Sequence, residues 1–182
     1  TWDYTGQVGT LLEAPGSIEK KYHYTAATGV KVTAVDTEHN TITTENASFA
    51  NQQSIYRLSF RYKKPDESKT PITAKSLTIT SANGHLVQSQ AVDGSSLAEG
   101  PIAVTLGAAS ADPFFVALRN GDETNAEALT FTVIDADGVT YRGFKTIPAE
   151  YKRSGSFVSA KDASLTQRLS LSLSATEVST VW

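Results

Sequence analysis

Residues 129–146 read LTFTVIDADGVTYRGFKT, and their register follows from residue types alone. A three-residue loop, Ala136-Asp137-Gly138, places Leu129, Phe131, Val133, Val139 and Tyr141 on one face of a hairpin. Thr130, Thr132, Thr140 and Arg142 fall on the other, with Ile134 and Phe144 as exceptions. A two-residue loop would scatter the large apolar side chains over both faces. Side chains alternate along a strand, so a slip of one residue turns every one of them over, and burial of one face selects the first register. Gly138 suits the third loop position, where φ is positive and a Cβ is penalised.

The same pattern recurs in residues 77–88, LTITSANGHLVQ, where a loop of Ala82-Asn83-Gly84 would pair Ile79 with Val87. In IYRLSFRY, residues 55–62, Tyr56, Leu58, Phe60 and Tyr62 alternate with Ile55, Arg57, Ser59 and Arg61. Further strands are expected at 30–35, 41–45, 74–80, 85–91, 102–106, 114–118, 155–160 and 166–174. A spacing of roughly 8 to 12 residues between turn signals points to an all-β fold, an antiparallel Greek-key β-sandwich of the transthyretin or immunoglobulin-like type. No window holds a helical period; residues 13–21 and 108–112 are at most short helical turns. The polar stretch 63–71 is a loop between neighbouring strands rather than a linker. Residues 1–182 therefore read as a single sandwich domain, with 165–182 as a terminal strand and tail.

Composition excludes several kinds of chemistry. The 16 Lys and Arg are dispersed in a chain of net charge −3, so no basic face for nucleic acid is expected. The basic run 61–64 reads as charge placed on an edge strand, where it deters unwanted pairing. The absence of Cys removes disulfides, zinc–thiolate sites and thiol nucleophiles together. Met is absent too, residue 1 included, as a processed or trimmed chain would show. No apolar run reaches the roughly 20 residues of a membrane span.

Catalytic and metal-binding patterns are also missing. His39 and His85 lie in turns, and His23 is expected on a strand between Tyr22 and Tyr24; no pair has metal-ligand spacing. Gly94-Ser95-Ser96 lacks the strand–elbow–helix setting of a serine nucleophile. Asp135-Ala-Asp137-Gly138 opens like a calcium loop but continues as VTYRG, without the later oxygen ligands, and a hairpin turn accounts for it. The loop pairs Asp122–Glu123 and Asp36–Glu38 define no catalytic dyad. No cofactor is expected.

Two stretches carry binding signals. Trp2, Tyr4, Tyr22 and Tyr24 gather near the amino end and are candidates for stacking on a glycan, or else cover one sheet face. In the last strand Leu165, Leu169, Leu171 and Leu173 share one face, opposite Thr166, Arg168, Ser170 and Ser172. Such a strand completes its own sheet or is added to a neighbour's, which makes these leucines the candidates for strand exchange. Asn46-Ala47-Ser48 is an N-glycosylation sequon.

Four stretches together resemble the fimbrillin family of Bacteroidales surface proteins. They are SIYRLSFRYKK (54–64), PITAKSLTITSANGHLV (71–87), DPFFVALRNGDE (112–123) and ALTFTVIDADGVTYRGF (128–144), in the order the family has them. The resemblance implies a non-enzymatic structural or adhesive protein of the cell surface, on the extracellular side of the outer membrane. It would be made as a lipoprotein precursor and assemble with other pilus or surface subunits by strand exchange, with host protein or glycan as further partners. The family has no catalytic residues to carry over, and its members usually hold two sandwich domains. The alternative is a carbohydrate-binding β-sandwich module of a surface glycan-binding system.

Overall fold

A computed structural model describes residues 1–167 of the chain. The amino-terminal half holds β1 (Trp2–Asp3), β2 (Thr25–Ala26), β3 (Val32–Asp36), β4 (Thr41–Thr44), β5 (Ala50–Asn51), β6 (Ser54–Lys63), β7 (Lys69–Pro71) and β8 (Ala74–Ser81). Then come β9 (Val87–Gln90), β10 (Ala98–Glu99), β11 (Ile102–Ser110), β12 (Phe114–Leu118), β13 (Glu127–Asp135), β14 (Thr140–Ile147) and β15 (Phe157–Gln167). One π-helical turn (Ile18–Tyr22) and one short helix, α1 (Ala149–Lys152), complete the elements.

The main sheet runs β11-β8-β13-β14-β15-β6-β12, with β7 paired to β6. It curls until β6 faces the β13–β14 hairpin: the rings of Phe60 and Phe131 lie 5.9 Å apart and those of Tyr62 and Tyr141 5.5 Å. The alternation in β6 produces this core, since Tyr56, Leu58 and Phe60 are all buried against Leu77, Ile79, Leu129 and Val133. The fold is all-β and sandwich-like. A small sheet, β1-β9-β10, adds Trp2 and Tyr4 to the same core.

The β13–β14 hairpin has the register read from its residue types. Val133 lies opposite Tyr141 and Ile134 opposite Thr140, and the Asp135 amide donates to the Val139 carbonyl at 3.0 Å across the three-residue loop. Gly138 has φ of 81°. Leu129, Phe131 and Val133 are buried, while the two exceptions, Ile134 and Phe144, face solvent, Phe144 being 83% exposed.

Other expectations are corrected. Residues 77–88 are not a hairpin: β8 is already flanked by β11 and β13, and Val87 pairs in the other sheet. The turn at 82–84 instead carries the chain between sheets, where consecutive Leu86 and Val87 are both buried. The pairing is not wholly antiparallel, because β15 runs parallel to β6. The expected strands at 155–160 and 166–174 are one continuous strand up to Gln167, interrupted by a bulge between Ala160 and Ala163. Arg61 lies on no edge, being opposite Pro71 of β7 on one side and Ser164 of β15 on the other. His23 follows the π-helical turn rather than lying on a strand, and residues 108–110 extend β11.

Candidate functional site

The ends of the main strand order, β11 and β12, are tied together by residue Gln7. Its backbone bridges Val104, and its buried side chain bonds both the N–H and the C=O of Ala117. The sandwich is therefore closed on that side. Among the described residues it is open on the other.

β14 and β15 pair only through Tyr141–Gln167 and Arg142–Thr166. Beyond that junction they splay, so among the described residues β14 from Gly143 to Ile147 has no strand partner on the side away from β13. The β15 edge from Phe157 to Ala163 is likewise unpaired away from β6. Between the two edges lies a groove of about 780 Å³. Leu58, Phe60 and Phe131 of the core reach its floor, and Ile147, Val158 and Ala163 line its walls.

Each end of the groove has a definite stop. At the junction, Gly143 lets the strands meet: a Cβ there would lie 2.7 Å from Leu165 Cδ2 and 3.2 Å from the Ser164 carbonyl. At the far end, Pro148 and Tyr151 of the α1 region close it. The Tyr56 hydroxyl donates to the Tyr151 carbonyl at 2.7 Å, and burial pushes the Tyr56 phenol up to about 12. α1 is anchored by a buried ion pair, Lys152 to Glu127 at 3.1 Å, and Lys152 Nζ also donates to the Asn125 carbonyl at 2.9 Å. Ser81 Oγ bonds the other Glu127 oxygen. Asn120 stands beside this pair, with its amide donating to the Lys152 carbonyl and its Oδ1 buried without a partner.

An unpaired edge on each side and an apolar floor are what an extended chain needs to be added to a sheet: main-chain hydrogen bonds along its length and pockets for alternate side chains. At about 3.3 Å per residue, the five open residues of β14 span roughly 16 Å, which suits a short strand.

Leu165 is part of this chain's own core, 2% exposed and paired through β15 to Tyr62 of β6, so it is not free to be donated. Leu169, Leu171 and Leu173 lie outside the described residues. The aromatic cluster is assembled but turned inward. Trp2, Tyr4 and Tyr22 are buried, and Tyr24 is half-buried with its hydroxyl donating to the Asp3 carbonyl. The Arg119 guanidinium covers Trp2 at 4.7 Å. The flat faces a sugar would stack on are thus spent on packing, which corrects their reading as a glycan platform. Contacts distant in sequence do this: Gln52 and Gln90 hold Arg119 over the indole, and the burial that results raises the Tyr4 phenol above its ordinary value.

The acidic turn at 135–138 uses its own oxygens. Asp135 Oδ1 accepts from the Asp137 and Val139 amides, and Oδ2 accepts from the Tyr141 hydroxyl. Among the described residues no group of three His, Asp or Glu could hold a metal ion, and no helix is long and apolar enough to cross a membrane. Sequence reasoning missed the groove because it depends on two strands failing to pair. The nearest signal was Gly143, which interrupts the β14 pattern at the strand junction. Lys152 and Glu127 carried no signal beyond ordinary charged residues.

These features define a class, an all-β sandwich-like protein with a lateral groove that is open among the described residues. The chain matches no family model, no curated protein and no solved structure.

Proposed function

We propose that the chain is a non-enzymatic structural module of the cell surface that assembles by taking an extended strand from a neighbouring subunit into the groove between β14 and β15. The observation that carries this reading is the pair of unpaired strand edges over an apolar floor. The resemblance of four ordered stretches to fimbrillins supports the same reading and suggests pilus or pilus-accessory subunits as the neighbours. Residues 168–182, with Leu169, Leu171 and Leu173 alternating with serines, have the pattern such a donor strand requires.

The test is binding of a synthetic peptide of residues 168–182 to the full chain, followed by calorimetry and by hydrogen exchange at β14. Binding with protection of the amides of 143–147 is expected. Replacing Val158, which is half-buried on the groove wall, with Arg should abolish it. A peptide that fails to bind, together with self-association unaffected by Val158→Arg, would sink the strand-exchange reading.

A further inference from the structure

The pairing of β14 with β13 settles which of its residues face the groove. Gly143 lies opposite Phe131, Lys145 opposite Leu129 and Ile147 opposite Glu127. Cross-strand partners share a face, and all three β13 partners are buried. Gly143, Lys145 and Ile147 therefore point toward the core, while Phe144 and Thr146 point away from it. Ile147 is buried accordingly. Lys145 is exposed, and it lines the groove.

A lysine is out of place on that face. Every other described side chain lining the groove is uncharged. Among the described residues no carboxylate pairs with Lys145, so its ammonium is left to water. A strand added beside β14 closes the side through which that water reaches it. Taking an unpaired cation out of water is costly, whereas a carboxylate set beside it forms a pair. The incoming strand thus meets two demands. It needs apolar side chains against Leu58, Phe60 and Phe131, and a carboxylate at the inward position opposite Lys145.

We propose that Lys145 is a specificity residue for the donated strand, selecting one whose inward face carries a carboxylate between two apolar residues. This rests on the strand-insertion reading and names the chemistry of the donor. The open stretch of β14 has three inward positions, 143, 145 and 147, with Lys145 in the middle.

The chain's own end meets only one demand at a time. Glu177 is the only Asp or Glu in residues 168–182, and it alternates in step with Leu169, Leu171 and Leu173. Set opposite Lys145, it brings Ala175 and Ser179 to the flanking positions in either strand direction, and no leucine enters the groove. With Leu171 opposite Lys145, the leucines fill the floor and the cation is unpaired. A neighbour's strand with its carboxylate in the middle satisfies both demands. The groove therefore discriminates against the chain's own tail, through a penalty on the wrong partner.

The experiment is calorimetry of synthetic peptides of residues 168–182, unsubstituted or carrying Leu171→Glu or Leu171→Gln, against the full chain and its Lys145→Leu variant. The two substituted peptides differ in charge alone. The Glu peptide binds the wild type about tenfold tighter than the Gln peptide, as coupling between close charges across an interface provides. Lys145→Leu reverses that order and tightens binding of the unsubstituted peptide. Lys145 is exposed, so circular dichroism of the variant should match the wild type. The chain's own tail competes equally with each peptide for a given protein, so the ratio is unaffected. Equal binding of the two substituted peptides to the wild type, or a ratio that survives Lys145→Leu, overturns the proposal and leaves strand insertion standing. Failure of every peptide to bind either protein removes strand insertion, and the selection by Lys145 with it.

Discussion

Gln7 stands in for a strand residue opposite Ala117: its Oε1 accepts from the Ala117 N–H at 2.7 Å, and its Nε2 donates to the Ala117 carbonyl at 2.7 Å. Ala117 is fully buried and Gln7 is 2% exposed. Through its backbone the same residue holds β11, with the Thr105 amide donating to the Gln7 carbonyl at 3.0 Å. One side chain thus closes the sandwich between the two end strands, which leaves the β14–β15 side as the place where it opens.

Gln7→Ala should therefore take that partner from three buried backbone groups, the Ala117 N–H and C=O and the Tyr4 carbonyl, and destabilise the fold by about 2–4 kcal/mol. The urea midpoint should fall with an unchanged slope, as it does when stability alone changes. A loss under about 0.5 kcal/mol, the size of an ordinary surface substitution, would mean that Gln7 is not the tie.

At the opposite side, Gly143 and Leu165 set where the groove begins. A Cβ at 143 meets both a flexible methyl and the fixed Ser164 carbonyl, so β14 and β15 must part to admit it. Gly143→Ala should cost about 1–3 kcal/mol through overpacking, and Leu165→Ala about 2–5 kcal/mol through the cavity it leaves. The double variant should be more stable than the sum predicts, because the smaller residue at 165 makes room at 143. Additive costs in a double-mutant cycle would show that the two do not share the junction.

The hairpin shows why half of this fold was legible. Burial of one face fixed its register, and Leu129, Phe131 and Val133 had no other way to be buried together. The same reasoning failed at 77–88, whose turn chemistry is equally good. Leu86 and Val87 are adjacent apolar residues, which a strand with one buried face cannot bury, and that departure was the sign of a change of sheet. The parallel pairing of β15 was invisible for a different reason: it is a contact over about a hundred residues of sequence, and alternation reveals a strand's faces but not its neighbours. The groove was hidden by the same limit, since residue types show which strands can form, not which edges remain unpaired. The aromatic cluster was correctly noticed and wrongly aimed, because nothing local in Trp2 or Tyr4 announces Arg119 of β12's outgoing loop.

Asp122 gives a pH-dependent prediction. Its carboxylate accepts from the Thr124 hydroxyl at 2.6 Å, the Thr124 amide at 2.8 Å and the Asn125 amide side chain at 2.9 Å. These bonds, the Thr124 hydroxyl first, hold the Asp122 carboxyl well below its ordinary value of 3.8. With the folded value depressed, the turn's contribution is complete above 3.8 and is lost only as pH falls through the lower folded value. In a carbon-detected titration, Asp122 Cγ should still be ionised at pH 3, and Asp122→Asn should remove the low-pH step. A midpoint near 3.8 would show that the turn does not favour the charged form.

The Lys152–Glu127 pair offers the strongest stability test, because both side chains are 1% exposed. A buried charge that loses its partner is far costlier than the pair is stabilising. Lys152→Met leaves Glu127 with only the Ser81 hydroxyl, and it releases the Asn125 carbonyl as well. The expected loss is about 3–5 kcal/mol. Lys152→Met combined with Glu127→Leu removes both charges and should recover much of it, a non-additivity that a double-mutant cycle measures directly. The pair also places α1, whose Tyr151 closes one end of the groove. In Lys152→Met, hydrogen exchange should therefore rise at 149–152 before it rises in β13, and the midpoint for peptide binding should shift with it. Equal protection of α1 in variant and wild type would mean that the Tyr56–Tyr151 hydrogen bond alone holds the helix, and that the ion pair serves only the loop of 120–127.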